Sequence, residues 1–183
     1  MSIAVSLGLV VVFLIMNAFF VIAEFALVRV RKSQLELAID EGKPGAKNAM
    51  KIAENVNAYL SACQLGITLA SLALGWLGEP AISKLFEPLF TMLGLPEAAI
   101  VAISVAIGYF IMTTLHVVVG ELIPKSFAIF ATERWALRTA TPLIWFYRIT
   151  FPIMLLFNGI TNAVVRPSGA PRTVEGCPHQ PGW

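Results

Sequence analysis

Two carboxylates stand where carboxylates are expensive. Glu24 lies within residues 3–28, a run with no other charged side chain, and Glu121 closes a second apolar run. An acid inside a bilayer-crossing helix faces a bundle interior or a water-filled path and marks an ion or proton route. Asn17 precedes Glu24 by seven residues, two turns along one helix face and about 10 Å away. Asn57, Ser61, Gln64, Thr68 and Ser71 follow at steps of four, three, four and three, so they line one face of another helix. Such a stripe reads either as helix packing or as the lining of a cation path. Gly120 and Pro124 bracket Glu121. That pattern predicts an interrupted helix with a free carbonyl near Gly120, suited to an ion. The plainer alternative is a helix stop with Glu121 paired to Lys125.

These donors are hard oxygens, which favour Mg²⁺ or Ca²⁺ over zinc or copper. The expected cation ligands are therefore Asn17, a hydroxyl or amide from Ser61, Gln64 or Thr68, the Gly120 carbonyl and Glu121, with Glu24 on the ion or beside it. His116 reads as an interfacial packing residue. Cys177 and His179 are two soft ligands and do not make a site. There is no His-Glu-x-x-His, no nucleophile–base pair and no phosphate loop, so an enzyme is not expected.

The surrounding chain must position these groups in a membrane. Of 183 residues, 57% are hydrophobic and 13% charged, against roughly 25% charged in soluble domains. A net charge of +2 argues against nucleic acid as a partner. Three stretches reach the length of a spanning helix, residues 3–28, 58–77 and 98–119. The first lacks a basic leader and is too long for a signal peptide. Cys63 and Cys177 give no disulfide framework.

Basic residues set the orientation. Arg29, Arg31, Lys32, Lys43, Lys47 and Lys51 follow the first span, whereas only Lys84 lies between the second and third. Lys125, Arg134 and Arg138 come after the third. The pattern predicts an outside N-terminus and a cytoplasmic C-terminus in the cell's inner membrane. The connection after the first span reads as a helical hairpin. Ser33 and Glu36 form a capping box, Gly42, Pro44 and Gly45 break the chain, and a second helix covers 46–54. In residues 132–165, Arg134, Arg138, Thr141, Trp145 and Arg148 share one helix face. This predicts an amphipathic juxtamembrane helix at the lipid interface, with a fourth span as the alternative. Residues 167–183, rich in Pro and Gly, read as a flexible tail or linker. The fold class is an all-α membrane protein with three transmembrane helices, a cytoplasmic hairpin and that amphipathic helix, all within residues 1–166.

Three blocks, in order, then resemble one family. They are Asn17-Ala-Phe-Phe-Val-Ile-Ala-Glu-Phe-Ala-Leu-Val28, then Ser61-Ala-Cys-Gln-Leu-Gly-Ile-Thr-Leu-Ala-Ser71 with Gly75-Trp-Leu-Gly-Glu-Pro80, and Val119-Gly-Glu-Leu-Ile-Pro-Lys125. They resemble the transmembrane domain of the CorC/hemolysin-C/cyclin M family. The resemblance implies a homodimeric Mg²⁺ transporter exporting Mg²⁺ against inward Na⁺. It also implies a belt of juxtamembrane helices and, in full-length relatives, an ATP-binding pair of cytoplasmic CBS domains. A membrane-embedded Mg²⁺ sensor or scaffold that regulates other transporters is the competing expectation. Nothing in the chain resembles a pore-forming toxin.

Overall fold

The computed structural model describes residues 3–92 and 96–165. The expected tail, with Cys177 and His179, lies outside them. Among the described residues all regular structure is helical. The elements are α1 (Ile3–Arg29), α2 (Lys32–Asp40), α3 (Ala46–Glu54), α4 (Val56–Met92), α5 (Glu97–Leu115), a π-helical segment (His116–Leu122), α6 (Ile123–Phe130) and α7 (Thr132–Val165).

Four helices are long and apolar enough to cross a membrane: Ile3–Arg29, Val56–Met92, Glu97–Phe130 and Thr132–Phe157. The expectation of three is corrected by the last of these. Its three arginines share one face, and most of the remaining perimeter is apolar, with Thr139 and Thr150 buried on the packed side. Arg134, Arg138, Thr141, Trp145 and Arg148 are all exposed, and Ala136, Ala140, Leu143 and Ile144 are buried behind them. The amphipathic face read from the sequence is thus present, on a helix of full spanning length.

Two other helices outrun their expected ends. The second was expected over 58–77, yet α4 continues through Pro80 and Pro88 to Met92. Each proline removes one backbone hydrogen bond, and packing against α5 offsets the loss. Leu74, Ile82 and Met112 form a buried cluster with Phe86 against it. A Cβ on Gly78 would lie 2.5 Å from Met112 Sδ, so this glycine lets the two helices close. The third was expected over 98–119. Instead α5, the π segment and α6 run on without a break to Phe130.

α1 is the hub and packs against α4, α6, α7 and the π segment. Its contact with α4 is close because Gly66 has no side chain. A Cβ there would lie 2.6 Å from the Phe20 ring. Phe20 also meets Phe146 of α7 at 4.5 Å.

The hairpin forms as expected, with one correction at its start. α2 begins at Lys32, and the Arg31 N–H donates to Gln34 Oε1 at 3.1 Å. Gln34, not Glu36, therefore reaches back, because the helix opens before Ser33. Gly42 and Gly45 take positive φ of 69° and 86°, which side chains rarely adopt. A Cβ on Gly45 would also collide with the Leu137 carbonyl, so the turn sits hard against α7. Lys43 Nζ meets Glu133 at 2.8 Å and Glu41 at 2.7 Å, and Asn48 Nδ2 donates to Thr141 Oγ1 at 2.9 Å. These two carboxylates push the Lys43 ammonium up to about 12.

Candidate cation site

The π segment follows from the residues around Glu121. In a regular α-helix the Gly120 carbonyl accepts the N–H four residues on. That residue is Pro124, which has no N–H. The strand of hydrogen bonds cannot close there as an α-helix, and the turns widen over His116–Leu122. Such insertions are frequent at functional sites.

The carbonyl expected to be free has a partner in this conformation. Asn17 Nδ2 donates to Gly120 O at 3.0 Å. Asn17 is 0% exposed, at the midpoint of α1. Ser71 Oγ donates to Asn17 Oδ1 at 3.4 Å and lies 3.2 Å from His116 Nε2. A hydroxyl has one hydrogen. Given to Asn17, it leaves Ser71 to accept from a His116 Nε2–H. The result is a directed chain, His116 to Ser71 to Asn17 to Gly120, joining α1, α4 and the π segment. Gly120 must be glycine here. A Cβ would lie 3.0 Å from both Asn17 Nδ2 and His116 Cδ2.

Glu121 follows directly. Its carboxylate is half-buried and pairs with Lys125 at 3.5 Å. Lys125 Nζ also lies 5.2 Å from the centre of the Phe25 ring on α1, next in sequence to Glu24. Glu24 is partly buried, within electrostatic reach of Cys63 on α4. Cys63 itself is fully buried among packed side chains.

Of the residues expected to ligate, Asn17 and Gly120 meet. Glu121 follows Gly120 in the chain and pairs with Lys125, which lies over the ring of Phe25, the residue after Glu24. Ser61, Gln64 and Thr68 are not drawn into this chain. Ser61 donates to the Asn57 carbonyl at 3.1 Å and Thr68 to the Gln64 carbonyl at 2.8 Å, both within α4. Gln64 and Thr68 are exposed. The stripe delivers Ser71 instead. His116 is the member that sequence reasoning set aside, although its spacing of four from Gly120 places both on one helix face.

The donors suit a hard divalent ion. Asn17 Oδ1, Ser71 Oγ, Gly120 O and the Glu121 carboxylate are oxygens of the kind that replace water on Mg²⁺. Among the described residues no group of three or more His, Cys, Asp or Glu could hold a metal.

Residues 8–179 match the family described as Cyclin M transmembrane N-terminal domain. The UPF0053 protein YugS of Bacillus subtilis is 45% identical over 165 residues, covering 89% of this chain and 38% of its own length. YhdT of the same organism is 49% identical over 154 residues, covering 84% of this chain and 33% of its own length. Rv1841c of Mycobacterium tuberculosis is 38% identical over 153 residues, covering 84% and 43%. The chain thus spans only a third to two-fifths of these relatives.

Proposed function

The chain belongs to the cyclin M transmembrane family, and on that premise we propose that it carries Mg²⁺ across the membrane by alternating access, as an exporter driven by inward Na⁺. The observation that carries this reading is the buried Asn17–Gly120 contact beside Glu121. A polar knot at mid-membrane is costly unless it has a task, and this one is built from ion-binding oxygens.

In the conformation described, the site satisfies itself. Asn17 holds the Gly120 carbonyl, and Lys125 holds the Glu121 charge. An entering Mg²⁺ competes for both. Rotation of the Asn17 amide turns Oδ1 toward the ion and releases the Gly120 carbonyl, and Glu121 exchanges Lys125 for Mg²⁺. Lys125 stays over the Phe25 ring on α1. The six basic residues between Arg29 and Lys51, against Lys84 alone on the opposite side, support a cytoplasmic hairpin and an outside N-terminus. Assembly as a homodimer in the inner membrane is part of the same reading.

The test is flux. The chain is reconstituted in liposomes enclosing a Mg²⁺ dye, with and without a Na⁺ gradient. Parent protein moves Mg²⁺, and Glu121→Gln abolishes both flux and Mg²⁺-dependent thermal stabilisation. Normal flux in Glu121→Gln rules out Glu121 as a ligand. Stabilisation by Mg²⁺ without any flux in the parent would favour the sensor reading.

A further inference from the structure

We propose that the cavity at the α6–α7 junction binds the phosphate headgroup of an anionic glycerophospholipid from the leaflet on the α2–α3 side. The cavity measures about 780 Å³, and Gln34, Lys43, Phe130, Glu133, Arg134 and Arg138 are in its wall. Arg134 and Arg138 are four residues apart on the exposed face of α7, so they are neighbours on that face. Guanidinium groups match phosphate oxygens in pairs. Among the described residues the ion pairs are Lys43 with Glu41, Lys43 with Glu133 and Lys125 with Glu121, so neither arginine has a carboxylate. Arg138 instead lies 5.8 Å from the Trp135 ring, which orients its plane. Glu133 is engaged by Lys43. Even with Glu41 counted against Lys43, the charge around the cavity is positive.

The wall also has an apolar rim. Phe130 is 89% exposed, and Phe127, outside the wall on the same helix, is 54% exposed. The helix Glu97–Phe130 has 34 residues. At 1.5 Å per residue it is about 51 Å long, against about 40–45 Å for a bilayer with its headgroups. A helix of that length reaches through the hydrocarbon core into the headgroup region, where aromatic rings sit at the boundary with the acyl chains. The open N–H groups at the start of α7, in the same wall, add donors for phosphate. A free phosphate has no use for the exposed ring, whereas a phospholipid fills both halves.

The test is native mass spectrometry of the 183-residue chain in neutral detergent, with phosphatidylglycerol and phosphatidylcholine added in equal amounts. Phosphatidylglycerol is expected to be retained in preference. The double variant Arg134→Gln/Arg138→Gln lowers that retention about tenfold or more, as loss of charged hydrogen bonds does. Lys47→Gln/Lys51→Gln, basic residues of α3 outside the cavity, leaves it unchanged. Phe130→Ser lowers retention without altering the preference and serves where the arginine variant loses its helical circular dichroism. Equal retention of the two lipids, or full retention in either cavity variant, overturns the proposal. Displacement of the lipid by an equal concentration of glycerol 3-phosphate overturns the lipid source and assigns the cavity to a soluble phosphate.

Discussion

Two polar contacts each join parts of the chain about a hundred residues apart, and they differ in almost everything but length. Asn17 Nδ2 reaches Gly120 O at 3.0 Å, and Lys43 Nζ reaches Glu133 at 2.8 Å. The first is sealed between helices. The second is open to water on both sides, with 43% and 36% of the two side chains exposed. If Lys43 lets go, water takes its place. If Asn17 lets go, a buried amide and a buried carbonyl lose their partners together. Position decides which contact governs fold and function, and the shorter distance is the weaker guide.

The largest effect is expected at the buried contact. Asn17→Leu leaves Gly120 O without its side-chain donor, while Ser71 keeps His116, and should destabilise the fold by about 1–3 kcal/mol. Mg²⁺ flux should vanish with it, as read by liposome dye and by thermal unfolding in detergent. Equal stability and flux in this variant would erase the contrast. Gly120→Ala comes next. Its Cβ needs space held by Asn17 and His116, and overpacking of this kind runs to about 1–3 kcal/mol. Flux should fall while helicity by circular dichroism is kept.

A smaller effect sharpens the account from the other side. Lys125 competes with the ion for Glu121, so Lys125→Met should tighten Mg²⁺ binding. For a partly exposed pair the gain is up to about fivefold, measurable by titration calorimetry. Weaker binding would show that Lys125 positions the carboxylate instead of competing for it.

The smallest effect belongs to the exposed contact. Lys43→Met should leave the urea midpoint close to that of the parent. The ammonium is raised from 10.5 to about 12 by its carboxylates, so the link contributes fully below the unfolded value and fades as pH rises through the folded one. Proton exchange at Lys43 followed by NMR should show the link intact from neutral pH to about 10 and lost near 12. Loss below pH 10 would mean that the carboxylates do not hold it.

Much of this arrangement was legible from residue types and spacing. Long uncharged runs announced the helices, and Gly42, Pro44 and Gly45 announced the hairpin turn. Gly120 and Pro124 marked the irregular turn at Glu121. What spacing could not convey was the partner of each group. The Asn57-to-Ser71 stripe is regular, yet Ser61 and Thr68 bond within their own helix and only Ser71 reaches across. That choice depends on where α1 crosses α4, which Gly66 and Phe20 set by contact, not by periodicity. His116 was set aside for the same reason, since its role needs Ser71 beside it. The fourth long helix was visible as the alternative, and three arginines on one face obscured how apolar the rest of it is. Helix α4 outlasted its prolines because α5 packs alongside, a tertiary fact.

The most direct measurement is the position of a divalent ion. Crystals grown with Mn²⁺ in place of Mg²⁺ give an anomalous peak that locates the metal independently of any assumed ligand. The account predicts a peak within about 2.5 Å of Asn17 Oδ1 and Glu121, with the Gly120 carbonyl released from Asn17 Nδ2. A peak elsewhere in the bundle, with the Asn17–Gly120 bond still closed, would contradict it.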